Sequence, residues 1–450
     1  SRSDMSADDT SLSPAVGEGN VEGSEDSSAK TSQRADGSLR KEVRVRKGYV
    51  PPSEDVEVEL SREYKKHKPD IDEQQTDSED TKTTENATNY TISSWDEYFQ
   101  AFGSSEIRKC RQYVVHACSV GSNAVNEDSY AIGEDSVFAV FDGHGGPDCS
   151  RWMANNVIPE FDKNCPLKGS GNDLDSIEEM FFSSTKKPKE KEAEKKETRR
   201  FLKKLFAHLD TRYMSTTGSQ NPFCGSCGLL CYVSGGSIWS ANVGDSRAVL
   251  VRRAENGVLK AIRITTDQNT SCPRECEKVC KRSGDFYAIR LHKDDELAQK
   301  ADPSLDCKKR VAGTLMVTRA LGDGFLKDPN VCPDNMKDNM PYITSKPKVK
   351  EIVKDYNDSF LVIASDGVWD ILDDNDVALE IMNACKSVRE SKKTDSGGEP
   401  TNLATAVAKA VIQEMMTRRY VLLAELSQMK ASERRHYIDD VTVLVVDLRA

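Results

Sequence analysis

The apolar run Val137, Phe138, Ala139, Val140, Phe141 stops at Asp142-Gly143-His144-Gly145-Gly146, so a carboxylate and an imidazole follow directly on a strand and share a tight glycine turn. The chain repeats the device. Asp366-Gly367 closes "FLVIAS", Gly244-Asp245 closes "SIWSANV", and Asp439-Asp440 opens "VTVLVV". One Asp-Gly after a strand is an ordinary turn signal. Four acidic strand ends in one chain are different, because they can converge on a single cluster of cations, the arrangement suited to metal-assisted hydrolysis.

Patterning around these ends alternates between strand and helix. The stretch "VVHACSVGSNAVNEDSYAI" reads as strand, loop, strand, with Glu127-Asp128 just before the second strand. Behind the glycine turn, Cys149, Trp152, Met153, Asn156 and Val157 recur at helical spacing and would cover one face of a sheet. "CGSCGLLCYVSGGSIWSANVGDSRAVLVRR" reads as three consecutive strands of an antiparallel sheet. A helix opens at Asp373 or Asp374, helical spacing resumes through "LATAVAKAVIQEMMTRRYVLLAEL", and the final strand follows Asp439-Asp440.

Residues 1–92 are rich in Ser, Asp, Glu, Lys and Thr and poor in large apolar side chains, the composition of a disordered acidic and polar tail. Within it "KEVRVRKGYVPP" carries alternating valines that suit an edge strand or a docking segment, although a solvated tail is the simpler reading. A Ser cap before "WDEYFQAF" marks the start of the folded part, so one domain spans 93–450. Charged or polar inserts fall near 163–200 and 386–403; in the first, "KKPKEKEAEKKETRR" suits a solvent-exposed helix laced by i,i+4 pairs or a mobile segment.

A net charge of -11 argues against a nucleic-acid or polybasic membrane surface, and no apolar run reaches the roughly 18 residues a membrane span needs. The 13 cysteines are odd in number and dispersed, which points to free thiols in a reducing, cytoplasmic or nuclear setting, or a mitochondrial one if a leader has been removed. Cys272, Cys276 and Cys280 stack on one helical face, and Cys227 and Cys231 share a strand face opposite Cys224; packing explains both sets more simply than zinc.

Magnesium and manganese take hard oxygen ligands, and crowded carboxylates require a cation because like charges a few ångströms apart repel. Two ions sharing one Asp can bring a water to near-neutral pKa and stabilise both oxygens of an in-line displacement. Taken together and in order over Tyr113 to Leu448, "NEDSY", "VFAVFDGHGG", "SANVGDSRAVL", "GTLMVTRALGDGFLK", "LVIASDGVWDIL" and "DDVTVLVV" resemble the metal-dependent serine/threonine protein phosphatases of type 2C.

The resemblance implies an α+β fold, a central sandwich of two antiparallel β-sheets flanked by helices on both sides. It also implies two Mn2+ or Mg2+ ions, with Asp142 bridging them, the Gly143 carbonyl on one, and Asp366 and Asp439 as the remaining direct ligands. Glu127 and Asp128 would hold metal-bound waters, and Asp245 and Asp370 stand where a weaker third ion binds in some members. His144 resembles the general acid that protonates the departing seryl or threonyl oxygen. The implied activity is hydrolysis of phosphoserine and phosphothreonine in phosphoprotein substrates by a monomer, through a metal-activated water and without a phosphoenzyme. The chain departs from the pattern twice. Asn123 stands five residues before Asp128, where many members use an Arg to grip the substrate phosphate, and Asp440 replaces the usual Asn. A catalytically weak relative acting as a phosphoprotein-binding scaffold is the alternative; a metal-dependent nuclease fits poorly with the acidic balance.

Overall fold

The runs that read as strands are apolar at nearly every position because each is pressed between a second sheet and a layer of helices. Val137–Phe141 and Asp358–Ala364 are buried along their whole length. This computed structural model describes residues 92, 94–165, 188–234, 236–254, 257–302, 304–393 and 401–449, all within the compact unit 87–450. Nearly all of the expected tail (1–92) and parts of both inserts lie outside the described residues.

In chain order the strands are β1 (Gly103–Lys109), β2 (Val114–Val120), β3 (Ser129–Ile132), β4 (Val137–Phe141), β5 (Gly143–His144), β6 (Gly225–Ser226), β7 (Gly228–Ser234), β8 (Ser237–Val243), β9 (Arg247–Arg253), β10 (Leu259–Arg263), β11 (Ile289–Arg290), β12 (Arg310–Val311), β13 (Leu321–Gly322), β14 (Lys348–Val353), β15 (Asp358–Ala364) and β16 (Val441–Asp447). One sheet runs β1-β2-β16-β15-β9-β10 and the other β14-β8-β7-β4-β3, with small β13-β6-β5 and β11-β12 sheets beside them. Every pairing within the two large sheets is antiparallel.

Phe138, Val140, Leu229, Leu250, Leu361 and Leu444 belong to the core between the large sheets. The outer face of the six-stranded sheet is covered by the helices Asp374–Lys393 and Leu403–Arg419, through Val377, Ile381, Val407 and Val411. Asp148–Asn164 and Pro188–Ser215 cover the five-stranded sheet through Met153, Val157, Phe206 and Leu209. Each such side chain, fully buried, contributes about 1.5–3 kcal/mol of transfer free energy. The architecture is the helix-flanked sandwich the motifs implied.

Local chemistry sets the element ends. Ser94 and Glu97 form a reciprocal capping box at the start of Trp95–Phe102. Asn402 caps Leu403–Arg419 through its Oδ1 and donates from Nδ2 to the Glu106 and Ala117 carbonyls, which ties that helix to β1 and β2.

Two expectations are corrected. β7, β8 and β9 do not form one sheet: β8 pairs with β7 and β14, whereas β9 pairs with β15 and β10 in the other layer. The chain therefore crosses between sheets at Gly244-Asp245-Ser246. The helix Pro273–Ser283 buries the row Glu275, Val279, Ser283 and leaves Cys276 and Cys280 half-buried, because Glu275 is drawn inward by Arg319.

Candidate active site

Strand register places the acidic ends together. β3 and β4 pair with Ser129 opposite Phe141, so Asp128 and Asp142 emerge side by side, one before and one after the paired residues. β2 and β16 pair with Val120 opposite Val441, which sets Asp440 beside the loop that carries Asn123 and Glu127. β15 and β16 pair with Ala364 opposite Val443, and the Ser365 amide continues the ladder to the Thr442 carbonyl at 3.1 Å. Asp366 then opens a short helix, Asp366–Trp369, that packs on the Asp440 backbone. The sheet crossover supplies Asp245.

These carboxylates face one another. Burial, then repulsion from Asp366, Asp128, Asp245 and Asp439, pushes the Asp142 carboxyl well above the usual range, and burial with repulsion from Asp245, Asp439 and Asp370 does the same to Asp366. Asp128, buried and repelled by Asp440, is pushed up to about 8. Glu127 Oε2 and Asp128 Oδ2 are buried with no hydrogen-bond partner. Oxygen-rich, mutually repelling and partly orphaned, the set fits hard divalent cations. Asp370 is exposed at the edge of the group.

Cys227 packs in the core as expected and also reaches the acidic group. It lies between β6 and β7, with its Sγ 3.3 Å from Asp245 Oδ1, and Asp142, Asp245 and Cys227 bring ligand atoms within 4.8 Å of one another. Burial, then the charges of Asp245 and Asp142, raises the thiol's pKa well above normal, so it is a protonated donor to Asp245. Among the described residues Cys272, Cys276 and Cys280 form no metal-binding group.

His144 is held by a residue to which the motif pattern gave no role, Asp323 of "GTLMVTRALGDGFLK". Its Nε2 lies 2.8 and 3.0 Å from the two carboxylate oxygens of Asp323, a residue with no solvent exposure. The β13-β6-β5 sheet makes this contact, pairing Gly143 with Ser226 and Gly225 with Gly322. A Cβ on Gly225 would sit 2.2 Å from Asp323 Oδ2, so only glycine admits the carboxylate. Burial pulls the His144 pKa down, but Asp323, Asp245 and Glu127 outweigh it and hold the imidazole above its ordinary value. The signal that could have found Asp323 is the "GD" of "RALGD", which repeats the strand-end aspartate pattern.

Asn123 and Asp440 meet. Asp440 Oδ2 accepts from Asn123 Nδ2 at 2.8 Å and from the Glu127 amide at 2.7 Å, while Oδ1 accepts from the Ser122 amide at 2.7 Å. The Asn123 amide group is thereby committed to shaping the loop.

The family model described as protein phosphatase 2C matches residues 100–418. The chain belongs to the protein phosphatase 2C family. Curated relatives include probable protein phosphatase 2C 61 of Oryza sativa subsp. japonica, 29% identical over 73% of this chain and 79% of the relative. Another is probable protein phosphatase 2C 67 of Arabidopsis thaliana, 27% identical over 74% and 79%. Among solved structures, the serine-threonine phosphatase 2C of Toxoplasma gondii superposes with a TM-score of 0.51 at 15% identity, over 77% of this chain and 98% of its own, and shares the fold. A C. elegans sex determining protein aligns with the same TM-score, 0.51, at 18% identity, over 76% and 66%. A short family model described as Mago binding matches residues 30–51, outside the described residues. Among the described residues of this 2C-family chain, no helix is long and apolar enough to cross a membrane.

Proposed function

We propose that the chain hydrolyses phosphoserine and phosphothreonine in proteins, with two manganese or magnesium ions held by its clustered carboxylates. The observation that carries this reading is the convergence of Asp128, Asp142, Asp245, Asp366 and Asp439 from separate strand ends into one mutually repelling group. Asp142, the Gly143 carbonyl, Asp366 and Asp439 would be the direct ligands. Glu127 and Asp128, each with a buried oxygen that makes no hydrogen bond, would support the ions from behind these ligands. Asp245 and Asp370 would hold a weaker third ion. Bound there, divalent ions acidify water and neutralise charge on phosphate oxygens.

The protein's own contribution is proton delivery. A seryl or threonyl alkoxide leaves poorly, and His144 donates to it. Asp323 fixes the ring and favours its protonated form; with Nε2 turned to Asp323, Nδ1 is left to carry the transferable proton. The deciding experiment is phosphate release from a phosphothreonine peptide with and without manganese, for wild type and Asp142→Asn. No release from folded, manganese-saturated wild type removes the reading. Peptide binding without turnover would instead favour an inactive phosphoprotein-binding relative, the reading to which the missing Arg at Asn123 lends support.

Residues 30–51 support a separate proposal: they form a docking segment for a Mago-type protein, as the matching family description suggests. The segment holds seven Lys or Arg against two Asp or Glu in a chain of net charge -11, so it suits an acidic partner surface. Binding of a Mago protein to the full chain, lost on deleting 30–51 with phosphatase activity kept, is the expected result; retained binding overturns it.

A further inference from the structure

With Asn123 spent on Asp440, the site lacks the side-chain cation that would supplement the metal ions in holding the substrate phosphate, and another basic residue can fill that place. The basic side chains Arg247, Arg319 and Lys327 of the motif stretches are already engaged elsewhere. Arg247 of "GDSR" bonds Asp267 and Asp374, Arg319 of "TRALGD" bonds both oxygens of Glu275, and Lys327 of "GFLK" bonds Asp210.

Arg434 and Arg435 divide the remaining work. They follow one another at the end of the short helix Ala431–Arg434, just before Asp439 and Asp440. Arg434 is buried: its guanidinium lies 4.0 Å from the Phe102 ring centroid, and its Nε donates to the Ser122 carbonyl at 3.2 Å. It therefore pins the helix end to the same loop that Asp440 shapes. Arg435 reaches the other end of that loop, at Glu127. Its side chain is half exposed, and its Nη2 stands 3.8 Å from Glu127 Oε2, too long for a hydrogen bond. Its positive field falls on both Glu127 and Asp439. A guanidinium beside a rigid neighbour, half in solvent and held to the acidic cluster only by a loose 3.8 Å ion pair with Glu127 and no hydrogen bond, keeps its donor fork free for an anion.

We propose that Arg435 is the substrate-binding residue that grips the phosphoryl oxygens, taking over from beside Glu127 the role vacated at Asn123. The proposal rests on the phosphatase reading above, and its chemical target is a phosphate monoester dianion. Lysine at this position would keep charge but lose the two-pronged geometry.

The test compares wild type, Arg435→Ala, Arg435→Lys and Arg435→Ala/Asn123→Arg, all saturated with manganese. Inorganic phosphate binding is measured by calorimetry and KM and kcat on a phosphothreonine peptide. Arg435→Ala should weaken phosphate about 10- to 100-fold and raise KM similarly, far more than kcat falls, with Arg435→Lys intermediate and Asn123→Arg restoring part of the loss. Unchanged phosphate affinity in Arg435→Ala overturns the proposal, as does a change confined to the manganese concentration needed for half activation, which would mean that Arg435 only steadies Glu127. Because phosphate binding is read without turnover, a wild type that binds phosphate through Arg435 yet releases none from peptide would refute the phosphatase reading and leave the binding role standing.

Discussion

Asn123 and Asp440, 317 positions apart in the chain, are joined by a 2.8 Å hydrogen bond between side chains, and the same carboxylate takes the backbone amides of Ser122, Asn123 and Glu127. Asp440 thus folds the loop that presents Glu127. Asp440→Ala leaves the Ser122, Asn123 and Glu127 donors without this acceptor, only those of Ser122 in buried bonds, so urea denaturation should show a loss of about 3 kcal/mol. Asp440→Asn keeps one accepting oxygen and should lose roughly half as much. A loss below about 0.5 kcal/mol for the alanine variant would show that the loop holds without this carboxylate.

His144 and Asp323 should act as one unit. His144→Ala is expected to slow phosphothreonine peptide hydrolysis about 100-fold or more, and aryl phosphate hydrolysis much less, because an aryl oxide needs no proton to leave. Asp323→Asn should show the same substrate bias, and adding it to His144→Ala should cost little more. Equal losses on both substrates, or fully multiplicative effects in the double variant, would speak against proton delivery by this pair.

The acidic cluster trades stability for function. A carboxyl whose pKa is higher folded than unfolded opposes folding once pH exceeds the unfolded value, which describes Asp366 at neutral pH. In chelator at pH 7.5, Asp366→Asn should therefore melt above wild type, by about 2–4 °C. Manganese should raise the melting temperature of wild type and barely move the variant. A lower melting point for the ion-free variant would contradict the repulsion argument.

Glu275 gives the opposite sign. Burial raises its carboxyl, but bonds from Arg319 and Lys278 outweigh that and hold it below the usual glutamate value. Its contribution is present above the unfolded pKa and fades as pH falls through the lower folded one. Glu275→Gln should cost about 3 kcal/mol at pH 7 by leaving Arg319 short of a partner, and the gap to wild type should close as pH drops below about 4. A gap that is constant from pH 7 to 3 would mean that packing, and not charge, is lost.

Much of the sandwich was legible because β4, β7, β15 and β16 are apolar at consecutive positions, which only strands covered on both faces need to be. β1 was not: "GSSEIRK" is mostly half-exposed or exposed and forms an edge strand through its backbone ladder to β2, which no side-chain pattern announces. The crossover at Asp245 was equally hidden, since β8 and β9 look like one hairpin in sequence but pair in different layers. Cys276 and Cys280 looked like a buried row by spacing, yet the Arg319–Glu275 pairing turns the helix by about one residue.

Sequence alone determined the inventory: which residue types carry the chemistry, that they close strands, and that their order matches a metal-dependent phosphatase, because these depend on local propensity and motif identity. Tertiary structure alone decided the partnerships. Asp323 beneath His144, Asp440 beneath Asn123, and the split between a buried Arg434 and an outward Arg435 all join segments far apart in the chain, and which distant groups meet is set by sheet register and packing, quantities no single stretch of residues encodes.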